Sequence, residues 1–367
     1  MKKTLKNAKG ITLVALVITI VILLILARIS ILTLTNTGIF KKAKEAKGKE
    51  QNAEKEQSQT LSEYERELNK YSSVELTVAN ANVVLSKKEN MELHDKKGNK
   101  IVIPAGFKVV VNDDTNNAMT VDKGIVIEDA TDAETKGSQF VWVPVGNIKK
   151  DDDLTIEIAL DRYTFGEDGA PTSQGEKTIG NFYMESISGG NSVAENISDF
   201  KLSVSKNNGY YIGRYEARKN VTSGSTTEIK ADEIWNNITQ PDAALQSKNM
   251  YKNLNFTSDL VNSYAWDTTI VFLQTMGENK KYSKSTSLNT ETIAINGTDV
   301  DVQCNVFDMA SNLHEWSTET STHHDGPCVF RGGVYNWNTA SVSYRDLRKE
   351  TYKSSNFGFR PVLYINV

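Results

Sequence analysis

Cysteine and histidine are the side chains best suited to nucleophilic, redox or metal chemistry, and this chain carries few: Cys304, Cys328, His94, His314, His323 and His324. None of the histidines stands in a two-His-one-carboxylate pattern. His323 and His324 are adjacent in "THHDGPC", which reads as a loop with its two rings pointing apart. No Ser/His/Asp order, phosphate-binding glycine loop or paired-carboxylate cleft stands out. Two cysteines are too few for a disulfide scaffold. In an exported domain, however, two lone cysteines are more safely paired than free, so one Cys304–Cys328 bridge across "DMASNLHEW" is expected. Arg331, Arg360, Asp308 and Glu315 are expected as partners in buried hydrogen-bond networks rather than as catalysts.

The elements that must position these residues divide the chain in two. Nothing from Ile11 to Ala27 is charged, and after Arg28 the apolar run resumes as far as Leu34. That is enough helix to span a bilayer core, which predicts a transmembrane segment at 11–34. Lys2, Lys3, Lys6 and Lys9 precede it. Residues 40–72 are rich in Lys, Glu, Gln and Ala, which predicts a solvated helical stalk. From residue 73 the pattern changes to short strand-like runs such as "KIVIPAGFKVVV", "SQFVWVPVG" and "GYYIGRYEA". Residues 147–209 read as a polar, turn-rich insertion, and "TSDLVNSYAWDTTIVFLQTM" as a helix opened by its Thr/Ser/Asp start. The expected fold class is α+β, a long N-terminal helix followed by a loop-rich domain. Net charge is only -4, so no basic field points to nucleic acid.

Two resemblances add to this. "KGITLVALVITI" resembles the N-terminus of type IV pilins and pseudopilins, in which a lysine-bearing leader ends in glycine. The resemblance implies a leader at 1–10, cleavage between Gly10 and Ile11 by a prepilin peptidase, and a pilin-like helix over 11–72. The family's usual glutamate five residues after the cut is Ala15 here, which weighs against filament assembly more than against processing. An uncut membrane anchor is the alternative. "FVWVPVG", "YYIGRYEARK", "NVFDMASNLHEWS", "VFRGGVYNW" and "NFGFRPVLY" resemble, in order, the formylglycine-generating enzyme or sulfatase-modifying factor domain, a variant of the C-type lectin fold. That resemblance covers residues 138–367, with 73–137 as a β-rich lead-in.

The family's oxidase chemistry uses a cysteine pair between "RGG" and "GFR", and Val334 to Phe357 contains none. A non-catalytic member is therefore expected. "ASNLHEW" resembles the family's calcium loop, which implies Glu315 and the carbonyls of Ser311 and Leu313 as calcium ligands. The stretch "VYNWNTASVSYRDL" implies a ligand-binding face built on Tyr335, Trp337, Asn338 and Tyr344. The expected function is a binding or adhesion protein at the bacterial cell surface. It would be anchored by one membrane pass and engage an extracellular glycan or protein ligand. A minor pseudopilin that contacts other pilus or pseudopilus subunits is the alternative, and an enzyme with an unrecognised site is a weaker one.

Overall fold

The computed structural model describes residues 74–367, apart from 152, 181–182, 185–196, 225, 252–254, 288–291, 299–300, 322 and 324–325. Before residue 74 it describes 18–28, 47–49, 52–53 and 55. The chain divides into two compact units, Met1–Tyr64 and Glu65–Val367.

In the first unit, residues 18–28 are helical. At 1.5 Å per residue that is about 16 Å, roughly half the apolar thickness of a bilayer. Among the described residues no helix is long and apolar enough to cross a membrane. This corrects the expected long membrane and stalk helix, and with it the transmembrane assignment and the single-pass placement in a cell membrane. The leader, Gly10, Ile11 and Ala15 lie outside the described residues.

The second unit is built mainly of short strands. In chain order they include β1 (Phe107–Val110), β2 (Val126–Asp129), β3 (Gln139–Pro144) and β4 (Tyr183–Met184). Helix α1 (Ile197–Asn207), β5 (Gly209–Gly213), α2 (Gln240–Asn249), β6 (Phe256–Leu260) and α3 (Ser263–Met276) follow. The chain closes with β7 (His314–Ser321), β8 (Cys328–Arg331), β9 (Arg345–Arg348), β10 (Phe357–Phe359) and β11 (Pro361–Ile365).

One sheet runs β6-β11-β5-β3-β2-β1. A second runs β4-β7-β8-β9, with β10 added to β7. All pairings in these two sheets are antiparallel except β7–β10. Strand accounts for 31% of the structure and helix for 22%, and the remaining strands form sheets of two or three. The expected α+β class with a long helix leading into a lectin-like domain is corrected accordingly to small β-sheets with few helices. The physical reason lies partly in the turns. Asn82, Asn116, Asn117, Asn208, Asn237, Asn305 and Asn312 all take positive φ, the left-handed conformation asparagine tolerates, and so end runs before they lengthen.

The core sits on the first sheet. Every residue of β5 is buried, and Tyr211 pairs with Trp142 of β3, their rings meeting edge-on at 4.9 Å. Helix α3 is buried on nearly every side, so it acts as a core element rather than a surface amphipathic helix. Its start is set by Asn262, whose side chain accepts the Ala265 N–H at 2.8 Å. The preceding "TSDL" belongs to β6, not to the helix as its capping-type residues suggested. The Tyr210 hydroxyl donates to the Ala265 carbonyl at 2.6 Å and ties α3 to β5. Residues 147–209, read as polar loops, contain five short strands and α1 as well as turns.

Candidate aromatic binding face and its buried supports

The turn that carries the candidate face depends on two glycines. Gly332 has φ +82, and a Cβ there would lie 2.7 Å from the Met309 carbonyl oxygen. At Gly333 a Cβ would lie 1.9 Å from the carbonyl oxygen of Ala310. The chain can therefore pass close under the "DMASN" loop only with glycine at both positions. It then turns tightly, the Trp337 N–H donating to the Val334 carbonyl at 3.1 Å.

This turn presents Trp337, which is 41% exposed. Its ring meets Tyr344 at 5.3 Å, edge to face, and His314 at 6.1 Å. Tyr344 stacks on His314 at 5.9 Å, and its hydroxyl donates to Asp346 at 3.1 Å. Trp337 and Tyr344 are thus brought together as expected. Asn338 is exposed beside them, whereas Tyr335 is half-buried, its N–H donating to the Asn312 carbonyl at 2.7 Å. Beyond Leu347, where the expected face ends, come Arg348, Lys349, Tyr352 and Lys353, whose signal in the sequence is the word "RKETYK".

His314 is not poised for chemistry. It is buried among Phe330, Phe357 and Tyr344, and burial holds its ring down at about 4. Its Nδ1 lies 3.0 Å from the Gly332 carbonyl, so Nδ1 carries the proton and the ring is a neutral support for the glycine turn. Cys304 and Cys328 are free thiols, not the expected disulfide pair. Cys304 directs its Sγ to the Asp122 carbonyl at 3.8 Å, and Cys328 lies 3.6 Å from Gln240 Oε1. Burial pushes each thiol up to about 12, so neither is a thiolate nucleophile near neutral pH.

Beneath the face lie two largely buried charge networks. In one, Arg331 bonds Asp267, while Arg345 reaches Asp267 and Glu319, each at 2.9 Å, and Arg162 reaches Glu319 at 2.8 Å. The arginines beside Asp267 hold it below the ordinary carboxylate range against the cost of burial. In the other, Arg360 grips Glu315 through Nη2 at 2.6 Å and through Nε at 3.0 Å. The same guanidinium donates to the carbonyls of Gly213 and Phe307, so through Gly213 of β5 and Glu315 of β7 it joins both sheets. Burial, then Glu315 and Asp308, push Glu216 well above the usual range. Asp308, raised to about 7 by burial and the charge of Asp301, has one carboxyl oxygen with no partner. Arg331, Arg360, Asp308 and Glu315 are all buried within these networks.

Of the groups named for calcium, the Glu315 carboxylate is already engaged by a cation. Both oxygens of Glu315 face Arg360, the Leu313 N–H donates to Glu216 at 3.0 Å, and the Ser311 hydroxyl donates to Asp308 at 3.3 Å. A cation at Glu315 would have to share the carboxylate with a guanidinium. Among the described residues no group of three or more His, Cys, Asp or Glu is arranged to hold a metal. His94 ends a strand beside Glu92, His323 is half-buried, and His324 lies outside the described residues.

No protein-family model matches the sequence, and no curated protein does. No family model carries a pilin-type or formylglycine-generating-enzyme-type label over to this chain, and those resemblances stand on their short motifs alone. Among solved structures the chain is similar to CarF, at 14% identity over 43% of this chain and 87% of that one, with a TM-score of 0.30. It is also similar to Treponema denticola variable protein 1, at 14% identity over 61% and 95%, TM-score 0.25. A third is the U1 variant of the Major Tropism Determinant, at 12% identity over 80% and 99%, TM-score 0.29. Scores at this level assign no fold family and no function.

Proposed function

We propose that the second unit is a non-catalytic binding module whose contact residues are Trp337 and Tyr344, with Asn338 at their edge. The observation that carries this reading is the exposure of Trp337 on a turn held by two obligatory glycines. A large aromatic in water on a rigid support loses little conformational freedom on binding, which is why such residues dominate interface energies. The rest of the site supports a non-catalytic role. Both thiols are held protonated, His314 is neutral and enclosed, Glu315 and Asp267 are bonded to arginines, and Glu216 accepts the Leu313 amide.

The partner is a glycan or a protein surface. The test is an array of glycans and proteins probed with the full-length protein and with Trp337→Ala. Loss of array binding with an unchanged melting temperature supports the proposal. Retained binding, or conversion of a sulfatase-type cysteine peptide by the purified protein, overturns it.

A further inference from the structure

The ring packing under Trp337 does not end at Tyr344. Tyr344 lies 6.1 Å from Phe330, Phe330 lies 4.8 Å from Phe357, and Phe357 lies 5.2 Å from Tyr352. Tyr352 is 37% exposed, so one continuous row of rings surfaces at two ends, Trp337 and Tyr352. Arg348 lies along this row, its guanidinium 5.1 Å above Phe330 and 5.6 Å from the Tyr352 ring. A cavity of about 520 Å³ opens beside Tyr352, lined by Leu347, Arg348, Lys349, Thr351, Tyr352 and Lys353. It holds three cations and no acid, in a chain whose net charge is negative. Asp346, which bonds Arg348 at 3.4 Å, and Glu350, which has a buried carboxyl oxygen, flank this segment but do not line the cavity.

Resting on the reading of Trp337 as a contact residue, we infer that the surface from Trp337 to Tyr352 takes an acidic peptide segment of a protein partner. Apolar side chains of the segment sit on Trp337 and against Leu347 and Tyr352, and its carboxylates meet Lys349, Lys353 and the free edge of Arg348. Apolar anchors at both ends with cations at one call for a ligand that alternates apolar and anionic groups along its length, as a peptide does. The ring-to-ring steps bound the span at roughly 21 Å, the reach of about six extended residues. The charged part of such a contact is partly solvated, so it is salt-sensitive.

The experiment is fluorescence anisotropy of a labelled (Leu-Asp)4 peptide with the full-length protein, beside (Leu-Asn)4 and a heparin fragment. The expected result is binding of (Leu-Asp)4 that weakens at least tenfold from 50 to 500 mM salt. It should also weaken at least tenfold in Lys349→Glu/Lys353→Glu and in Trp337→Ala, with no binding of (Leu-Asn)4. Absence of (Leu-Asp)4 binding, equal binding of (Leu-Asn)4, or binding of heparin alone overturns the inference. If Trp337→Ala abolishes binding and the charge reversal leaves it unchanged, the acidic partner is wrong and the Trp337 reading stands. If only the charge reversal acts, the Trp337 reading falls, and the extended surface falls with it.

Discussion

Replacing Asp308 with asparagine should remove a large loss of stability between about pH 4 and pH 7. Asp308 is 1% exposed and sits at φ +62, a conformation asparagine accepts, so the substitution changes charge with little strain. Its carboxyl group rises from 3.8 to about 7, first through burial and then through the charge of Asp301. Between those two values the folded protein holds a proton that the unfolded chain has released. Stability is therefore fully present below about pH 4, falls as the pH rises through about 7, and then levels off. A gap of about three pH units at 1.36 kcal/mol each corresponds to roughly 4 kcal/mol. Asp301, Glu216 and Glu315 are raised as well, so the wild-type protein should lose more than this one group contributes. Urea unfolding at pH 4, 5, 6, 7 and 8 gives both curves. The difference between Asp308→Asn and wild type should move in favour of the variant by about 4 kcal/mol from pH 4 to pH 8. Parallel curves would show that Asp308 releases its proton in the folded state as readily as in the unfolded chain, and the reasoning would be wrong.

Arg360→Met should destabilise by about 3–5 kcal/mol, because it leaves Glu315 and Glu216 buried without their cation, and the loss should be larger at pH 8 than at pH 5. Denaturant titrations at the two pH values check both points. Gly333→Ala should cost about 2 kcal/mol or more and blunt binding, since its Cβ would strike the Ala310 carbonyl; a melt paired with the array reads both effects. Thiol counting on protein denatured without reductant should give two free cysteines, Cys304 and Cys328, and in the folded state both should alkylate slowly at pH 8.

The parts of the fold legible in the sequence were those fixed by local chemistry. "FVWVP" and "GYYIG" are continuous runs without charge, and both are covered strand segments of one sheet. Trp142, Trp266 and Trp316 anchor the core with no exposure, as their size suggested. The glycine pair of "RGG" announced a close backbone passage, and one exists. For the N-terminal apolar run, hydropathy marks where a spanning helix could lie, and among the described residues no helix is long and apolar enough to cross a membrane. The described helix covers residues 18–28 alone. The partner of Glu315 is a long-range contact: nothing near Glu315 in sequence reveals that Arg360, on the other side of β8 and β9 in the chain, bonds both its oxygens. The Arg162–Glu319–Arg345–Asp267–Arg331 network was invisible for the same reason, since its members come from separate elements.

The central claim is that Trp337 contacts a partner and does not hold the core together. Its most direct test is to melt full-length wild-type and Trp337→Ala proteins and to probe the same two samples on the glycan and protein array. A ring that is 41% exposed should leave the melting temperature nearly unchanged while its loss abolishes array binding. A fall in stability of about 3–5 kcal/mol, the cost of deleting a core aromatic, with binding intact in the protein that remains folded, would contradict the account.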